Sequence, residues 1–144
     1  RITFATLVPS VLTALLRVEQ PLITLRHLGC GGEALPVSAV RGFVEGPLGR
    51  SAQIHNRYGP TECAVNTTLF GPLGPQDDLP SDLPSVPIGW PSAHRHIFVG
   101  EQANCFTNTS ESEPVLHRRA GGLLVAGPGL ASMYLNRPDL TDEC

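Results

Sequence analysis

The stretch that decides the fold is TLRHLGCGGEALPVSAVRGFVEGPLGRSAQIHNRYGPTE, Thr24 to Glu62. Thr24 to Cys30 reads as a short buried strand, interrupted by Gly31-Gly32. From Pro36 to Glu45 the apolar positions Val37, Val40, Phe43 and Val44 recur on one side, with Pro at the start and Gly46 at the end. That is an amphipathic helix with ordinary punctuation. Ser51 to His55 is a second strand running into NRYGPTE. Parallel pairing needs a crossover of a dozen or more residues, usually helical, and the segment between Cys30 and Gln53 supplies one. Parallel strands end at one sheet edge, so the turns Gly29–Ala34 and Asn56–Glu62 are expected to share a crevice, where open α/β sheets bind ligands.

Working upstream, Ile2 to Val8 is β-branched and apolar, a further buried strand. Pro9 can open a helix with Val11, Leu12, Leu15 and Leu16 on one face, ended by Pro21. The first half therefore alternates strand–helix–strand–helix–strand, an α/β fold with a parallel sheet and crossover helices. Downstream, Gly71 to Pro87 reads as a long surface loop. Arg95–Gly100 and Gly121–Gly127 read as strands of a smaller β-rich region, spanning about residues 88–136 against about 1–70 for the α/β part. The polar stretch from Glu101 to Arg119 is expected to be the least ordered. NRPDLTDE reads as the start of a surface helix, with acids in its first turns.

Composition narrows the function classes. The 144 residues carry 10 basic and 13 acidic side chains, a net charge of −3. The few Arg are scattered, which gives no electrostatic footprint for nucleic acid. Apolar runs are too short to span a membrane. Cysteines at 30, 63, 105 and 144 match no zinc spacing or disulfide framework, so a reduced cytoplasmic protein is expected. No P-loop, dinucleotide fingerprint or nucleophile elbow is present. His94 and His96 lie two apart on an expected strand, without a third metal ligand in view.

The two turns carry the chemistry. Gly31-Gly32-Glu33-Ala34 can bring backbone N–H groups close to an anion or a purine edge, although loop glycines are most often structural. In NRYGPTE, Tyr58 can stack on a flat ligand, the Thr61 hydroxyl can donate to a phosphate, and Glu62 can hold Mg²⁺ bridging the same phosphates. Asn56 offers an amide suited to an adenine edge. Chemistry alone leaves two readings: a nucleotide–magnesium site, or a tight turn with a helix-capping threonine.

NRYGPTE resembles the N-x-YGPTE motif of adenylate-forming enzymes, specifically the amino-acid-activating adenylation domains of nonribosomal peptide synthetases. CGGEALP (30–36), PIGWPSAHRHIFV (87–99) and GGLLVAGPGLASMYLNRPDLT (121–141) are similar to further family segments, in the family's order. The resemblance implies part of the large N-terminal domain of such an enzyme. It implies attack of an amino acid carboxylate on the α-phosphate of ATP, then transfer of the acyl group to the phosphopantetheine thiol of a peptidyl carrier domain, with condensation domains as further partners. Position by position, it implies that Asn56 meets the adenine amino group, Tyr58 stacks on the ring, Gly59 belongs to the nucleotide site, Thr61 contacts the α-phosphate and Glu62 holds Mg²⁺. Thr61 and Glu62 are then the catalytic pair, and the backbone of Gly32, Glu33 and Ala34 lines the nucleotide site. Thr6, Gly29, Gly31, Arg57, Val65 and Asn66 are implied as the side-chain pocket, in which Arg57 is an unusual occupant pointing toward an acidic substrate or else out to solvent. Gly122 and Ser132-Met133 depart from the family pattern. The family's phosphate loop, amine-anchoring Asp, ribose-binding Asp and catalytic Lys fall outside these residues, so the chain alone is not expected to catalyse. Two other readings stay open: an acyl- or aryl-CoA ligase, and a non-catalytic adenylation-like scaffold or nucleotide-binding module.

Overall fold

The computed structural model describes residues 2–18, 24–79, 82–100 and 121–142. It divides into two compact units, Arg1–Ser92 and Ala93–Cys144. The polar stretch 101–119 lies outside the described residues.

In the first unit, strands β1 (Phe4–Leu7), β2 (His27–Gly31) and β3 (Gln53–Tyr58) pair in parallel, joined through helices α1 (Pro9–Leu15) and α2 (Val37–Glu45). The expected alternation is therefore present. Val37, Val40, Phe43 and Val44 of α2 are all buried, against Leu28 and Cys30 of β2 and Ile54 of β3 in one core. Burial pushes the Cys30 thiol up to about 11, so it is an inert part of that core.

The first helix differs from its expected form. It stops at Leu15, and Pro21 lies outside the described residues. Leu12 is buried and Leu15 and Leu16 are half-buried, but Val11 is exposed. The Pro9 start is as read, with Pro in the first helical turn.

The sheet does not end at β3. Strand β4 (Thr68–Leu73) adds antiparallel to β3 and β5 (Trp90–Pro91) antiparallel to β4, so the five-stranded sheet is mixed. Sequence reading placed Gly71 onward in a loop because the stretch, starting with the Gly71-Pro72 pair, is rich in Pro, Gly, Asp and Ser. Here the pair sits at a register irregularity in the β3–β4 ladder. Gly71 has φ +114°, and a Cβ there would come within 2.9 Å of the Ile54 carbonyl oxygen. Glycine is what lets the strand bulge without breaking.

Alternation gives the sheet two unlike faces. Ala5, Leu7, Leu28, Cys30, Ile54 and Asn56 turn toward the helices. Phe4, Thr6, His27, Leu69 and Trp90 are exposed on the other face, where Gly29, Gly31, His55 and Arg57 also lie.

In the second unit, β6 (His96–Gly100) and β7 (Gly122–Ala126) form an antiparallel pair, followed by α3 (Pro138–Asp142) with Asp139 in its first turn. His94 precedes the strand in a left-handed conformation, φ +66°, so it is not on a strand with His96 as read from the sequence. No helix among the described residues is long and apolar enough to cross a membrane.

Candidate nucleotide site

The parallel register pairs Leu7 with Cys30, Cys30 with Asn56 and Gly31 with Arg57. The chain therefore leaves β1, β2 and β3 at one edge, and Val8–Ser10, Gly32–Ala34 and Gly59–Glu62 emerge together there. Both segments read as turns begin inside strands. Gly29 to Gly31 complete β2, and Asn56 to Tyr58 complete β3, because the parallel ladder holds them in register.

Each side chain of the motif has its own support. Asn56 is buried and donates both Nδ2 protons, to the carbonyls of Val86 at 3.1 Å and Pro87 at 2.9 Å. A carbonyl only accepts, so the amide nitrogen must face them and Oδ1 must face away. Asn56 thus locks the 86–87 segment to β3 and retains one acceptor oxygen. Tyr58, at the end of β3, is 37% exposed.

Gly59 follows with backbone crowding it. A Cβ there would lie 2.1 Å from the Val65 carbonyl oxygen and 2.8 Å from the Thr67 amide nitrogen, a clash no shift of a side chain relieves. Thr67 N–H donates back to the Tyr58 carbonyl at 2.8 Å and closes the turn.

Thr61, Glu62 and Cys63 form one turn of 3₁₀ helix entered from Pro60 and left through Ala64 in the left-handed region. The residue before the helix is Pro60, and no side chain caps it. The exposed Thr61 hydroxyl makes no hydrogen bond among the described residues, so Thr61 does not act as a helix cap. Glu62 is half-buried one residue further on, in the first turn.

The glycine turn opposite has a different economy. Gly32 has φ +89°, which glycine adopts without strain. Glu33 and Ala34 are exposed, and their amides donate to nothing among the described residues. The Glu33 carboxylate accepts from the Ser10 amide at 3.0 Å and the Ser10 hydroxyl at 2.9 Å. It caps α1, whose own preceding residue Val8 supplies no cap. Sequence reading gave Glu33 only a backbone role; no local signal joins residues 23 positions apart.

Of the six side-chain pocket positions, four come together. Thr6 pairs with Gly29 and Gly31 with Arg57, all on the open face. Val65 and Asn66 lie off the sheet, exposed on the connection into β4. Sequence reading missed the neighbours of this group. His27 Nδ1 lies 3.3 Å from His55 Nε2, one step along the same face. Burial, then the charges of His27 and Arg57, hold the His55 pKa below its ordinary value. No group of three metal-ligating side chains forms among the described residues. A cavity of about 150 Å³ beside α2, lined by Val40, Arg41, Val44, Asp77 and Leu79, contains none of these residues.

Comparison with known proteins identifies the family. Residues 1–135 match the AMP-binding enzyme family. Malpinin synthetase of Mortierella alpina is 36% identical over 142 residues, covering 99% of this chain and 2% of that protein. Novobiocin biosynthesis protein H of Streptomyces niveus is 34% identical, covering 99% of this chain and 20% of that protein. Among solved structures, PA1221, a nonribosomal peptide synthetase protein containing adenylation and PCP domains, superimposes with a TM-score of 0.72 at 27% identity, over 96% of this chain and 26% of that one. The O-succinylbenzoate coenzyme A synthetase of Bacillus subtilis, solved with ATP and a magnesium ion, shares the fold with a TM-score of 0.68 at 20% identity, over 98% of this chain and 26% of that one. This chain thus spans about a quarter or less of each of these proteins, and with its mixed α/β sheet and matched motifs it belongs to the AMP-binding enzyme family.

Proposed function

We propose that this chain forms the adenine- and α-phosphate-facing part of an amino acid adenylation domain. The observation that carries the reading is the shared edge: the Glu33 and Ala34 amides, the Tyr58 ring and the Thr61 hydroxyl all emerge where β2 and β3 end, unspent on the protein's own hydrogen bonds among the described residues. Asn56 Oδ1 accepts from the adenine amino group, Tyr58 stacks on the ring beside Gly59, and Thr61 donates to the α-phosphate. The backbone of Gly32, Glu33 and Ala34 lines the same site. Glu62 would hold Mg²⁺, which neutralises charge on the phosphates during attack.

The reaction is an in-line displacement. A substrate carboxylate oxygen forms a bond to the α-phosphorus, the bond to pyrophosphate breaks, and an acyl-adenylate results. The thiol of a carrier-borne phosphopantetheine then takes the acyl group and AMP leaves. What these residues contribute is positioning and charge stabilisation, not a protein base. The similarity to synthetases, and to a protein holding adenylation and PCP domains, supports amino acids as substrates and carrier and condensation domains as partners.

The test is amino-acid-dependent ATP–pyrophosphate exchange by the full-length protein. Exchange is expected, and Glu62→Gln should slow it by about 10²-fold with a shifted Mg²⁺ dependence. Parental exchange in Glu62→Gln at every Mg²⁺ concentration would overturn the metal role. Exchange with aryl or fatty acids in place of amino acids would move the chain to the acyl-CoA ligases.

A further inference from the structure

The open face holds a cation whose partner is not on the sheet. Arg57 is half-buried at the end of β3, on the face opposite Asn56. Its side chain does not run out to solvent. A Cβ built on Gly29 would lie 3.0 Å from Arg57 Nε and 3.2 Å from Cδ and Cζ, so the arm lies back across β2. The guanidinium carbon sits 5.0 Å from the centre of the Phe4 ring on β1. Arg57 therefore spans three strands, laid over the floor that glycine at 29 leaves clear and braced by a cation–π contact.

The guanidinium makes no hydrogen bond and no ion pair among the described residues. Five N–H donors in a planar fork are thus presented without an acceptor. The face around them offers Phe4, Thr6, His27, His55, Leu69 and Trp90, none of them acidic. A braced fork of this kind matches a carboxylate in two parallel bonds, which a lysine ammonium would not do.

We infer that Arg57 is a specificity-determining residue for a substrate with a second carboxylate, an acidic amino acid, which it holds by that side-chain group over Gly29 and Gly31. The inference rests on the adenylation reading above and adds the substrate class to it. Phe4 becomes a positioning residue for the fork, and Gly29 the residue that keeps the space clear.

The test is a substrate panel in the exchange assay on the full-length protein: aspartate and glutamate against asparagine and glutamine, with leucine and phenylalanine as apolar controls. The native protein should prefer an acidic substrate over its neutral amide by about 10²-fold in kcat/KM. Arg57→Ala should lose on the order of 10²-fold on the acidic substrate and at least about tenfold less on the amide, and an unshifted melting temperature shows that the variant folds. Arg57→Lys should fall between them. Gly29→Ala should displace the arm and weaken the same preference. Fastest exchange with a neutral or apolar amino acid by the native protein would overturn the inference and leave the adenylation reading standing. An Arg57→Ala loss equal across all substrates would do the same, showing that Arg57 meets a carboxylate of the protein. Absence of exchange with every acid would overturn both.

Discussion

Asn56 offers the most quantitative test of the site, because the structure gives it two separable jobs. One is the clasp from β3 to the 86–87 segment, and the other is the remaining Oδ1 acceptor. Asn56→Ala deletes two hydrogen bonds at 3.1 and 2.9 Å. Val86 is buried, so its carbonyl is left without a donor, while Pro87 is exposed and its carbonyl recovers water. Counting roughly 1–2 kcal/mol for the buried acceptor and about 1 kcal/mol for the other gives a local cost of about 2–3 kcal/mol. Asn56→Asp is more severe, since it aims a buried carboxylate at two carbonyl oxygens and should cost about 3–5 kcal/mol at neutral pH. Such an acid has its folded pKa raised, so the deficit is small below the unfolded carboxylate pKa and grows as pH rises toward the folded value. Hydrogen exchange of peptides covering 53–58 and 84–90, without nucleotide, reads this directly. The Ala variant should open about 30- to 150-fold more often, and the Asp variant more still at pH 7 than at pH 4. Unchanged protection in both variants would show that the clasp is not made and that Asn56 serves the ligand alone.

Three further outcomes follow from the same geometry. Tyr58→Ala should weaken ATP binding by roughly 1–3 kcal/mol through lost stacking, measured by equilibrium titration, while protection of β3 is kept. Glu33→Ala removes the cap on α1 and should cost about 1 kcal/mol of local stability there; Glu33→Gln, which keeps an acceptor, should cost less, and exchange rates of the α1 amides check both. His55 has a folded pKa below its unfolded value, so the unfolded chain binds the proton first as pH falls below about 6.5. Stability should fall through that window and into the range of the depressed folded pKa, and His55→Gln should flatten the fall. Melting temperatures between pH 8 and pH 5 give the comparison, and an identical slope in both proteins would remove His55 from the cause.

The parallel core was legible because its signals are local. Val37, Val40, Phe43 and Val44 mark α2 by spacing alone, and a crossover of that length leaves parallel pairing as the outcome. Strands β4 and β5 were not legible, because Gly71-Pro72 carries the chemistry of a turn and only the pairing with Ile54 and Asn56 makes it a bulge. Val11 reads as a core residue by period, yet the side of α1 that packs on the sheet is centred on Leu12 and leaves Val11 exposed. The motif residues Tyr58, Thr61 and Glu62 stood out by type. Their supports did not, since Glu33 to Ser10, Asn56 to Val86 and Arg57 to Phe4 each join distant parts of the chain. Sequence left Arg57 between solvent and pocket, and the glycine at 29 with the ring at 4 decides its course along the sheet.

The most direct test is a crystal structure of the full-length protein with a non-hydrolysable aminoacyl-adenylate analogue and Mg²⁺. The adenine should lie within hydrogen-bond distance of Asn56 Oδ1 and stack on Tyr58, with the phosphate mimic at the Thr61 hydroxyl and Glu62 among the groups around the metal. An analogue bound with its adenine away from the edge shared by β2 and β3, leaving Tyr58 and Thr61 in contact only with solvent, would contradict the assignment of this crevice as the nucleotide site.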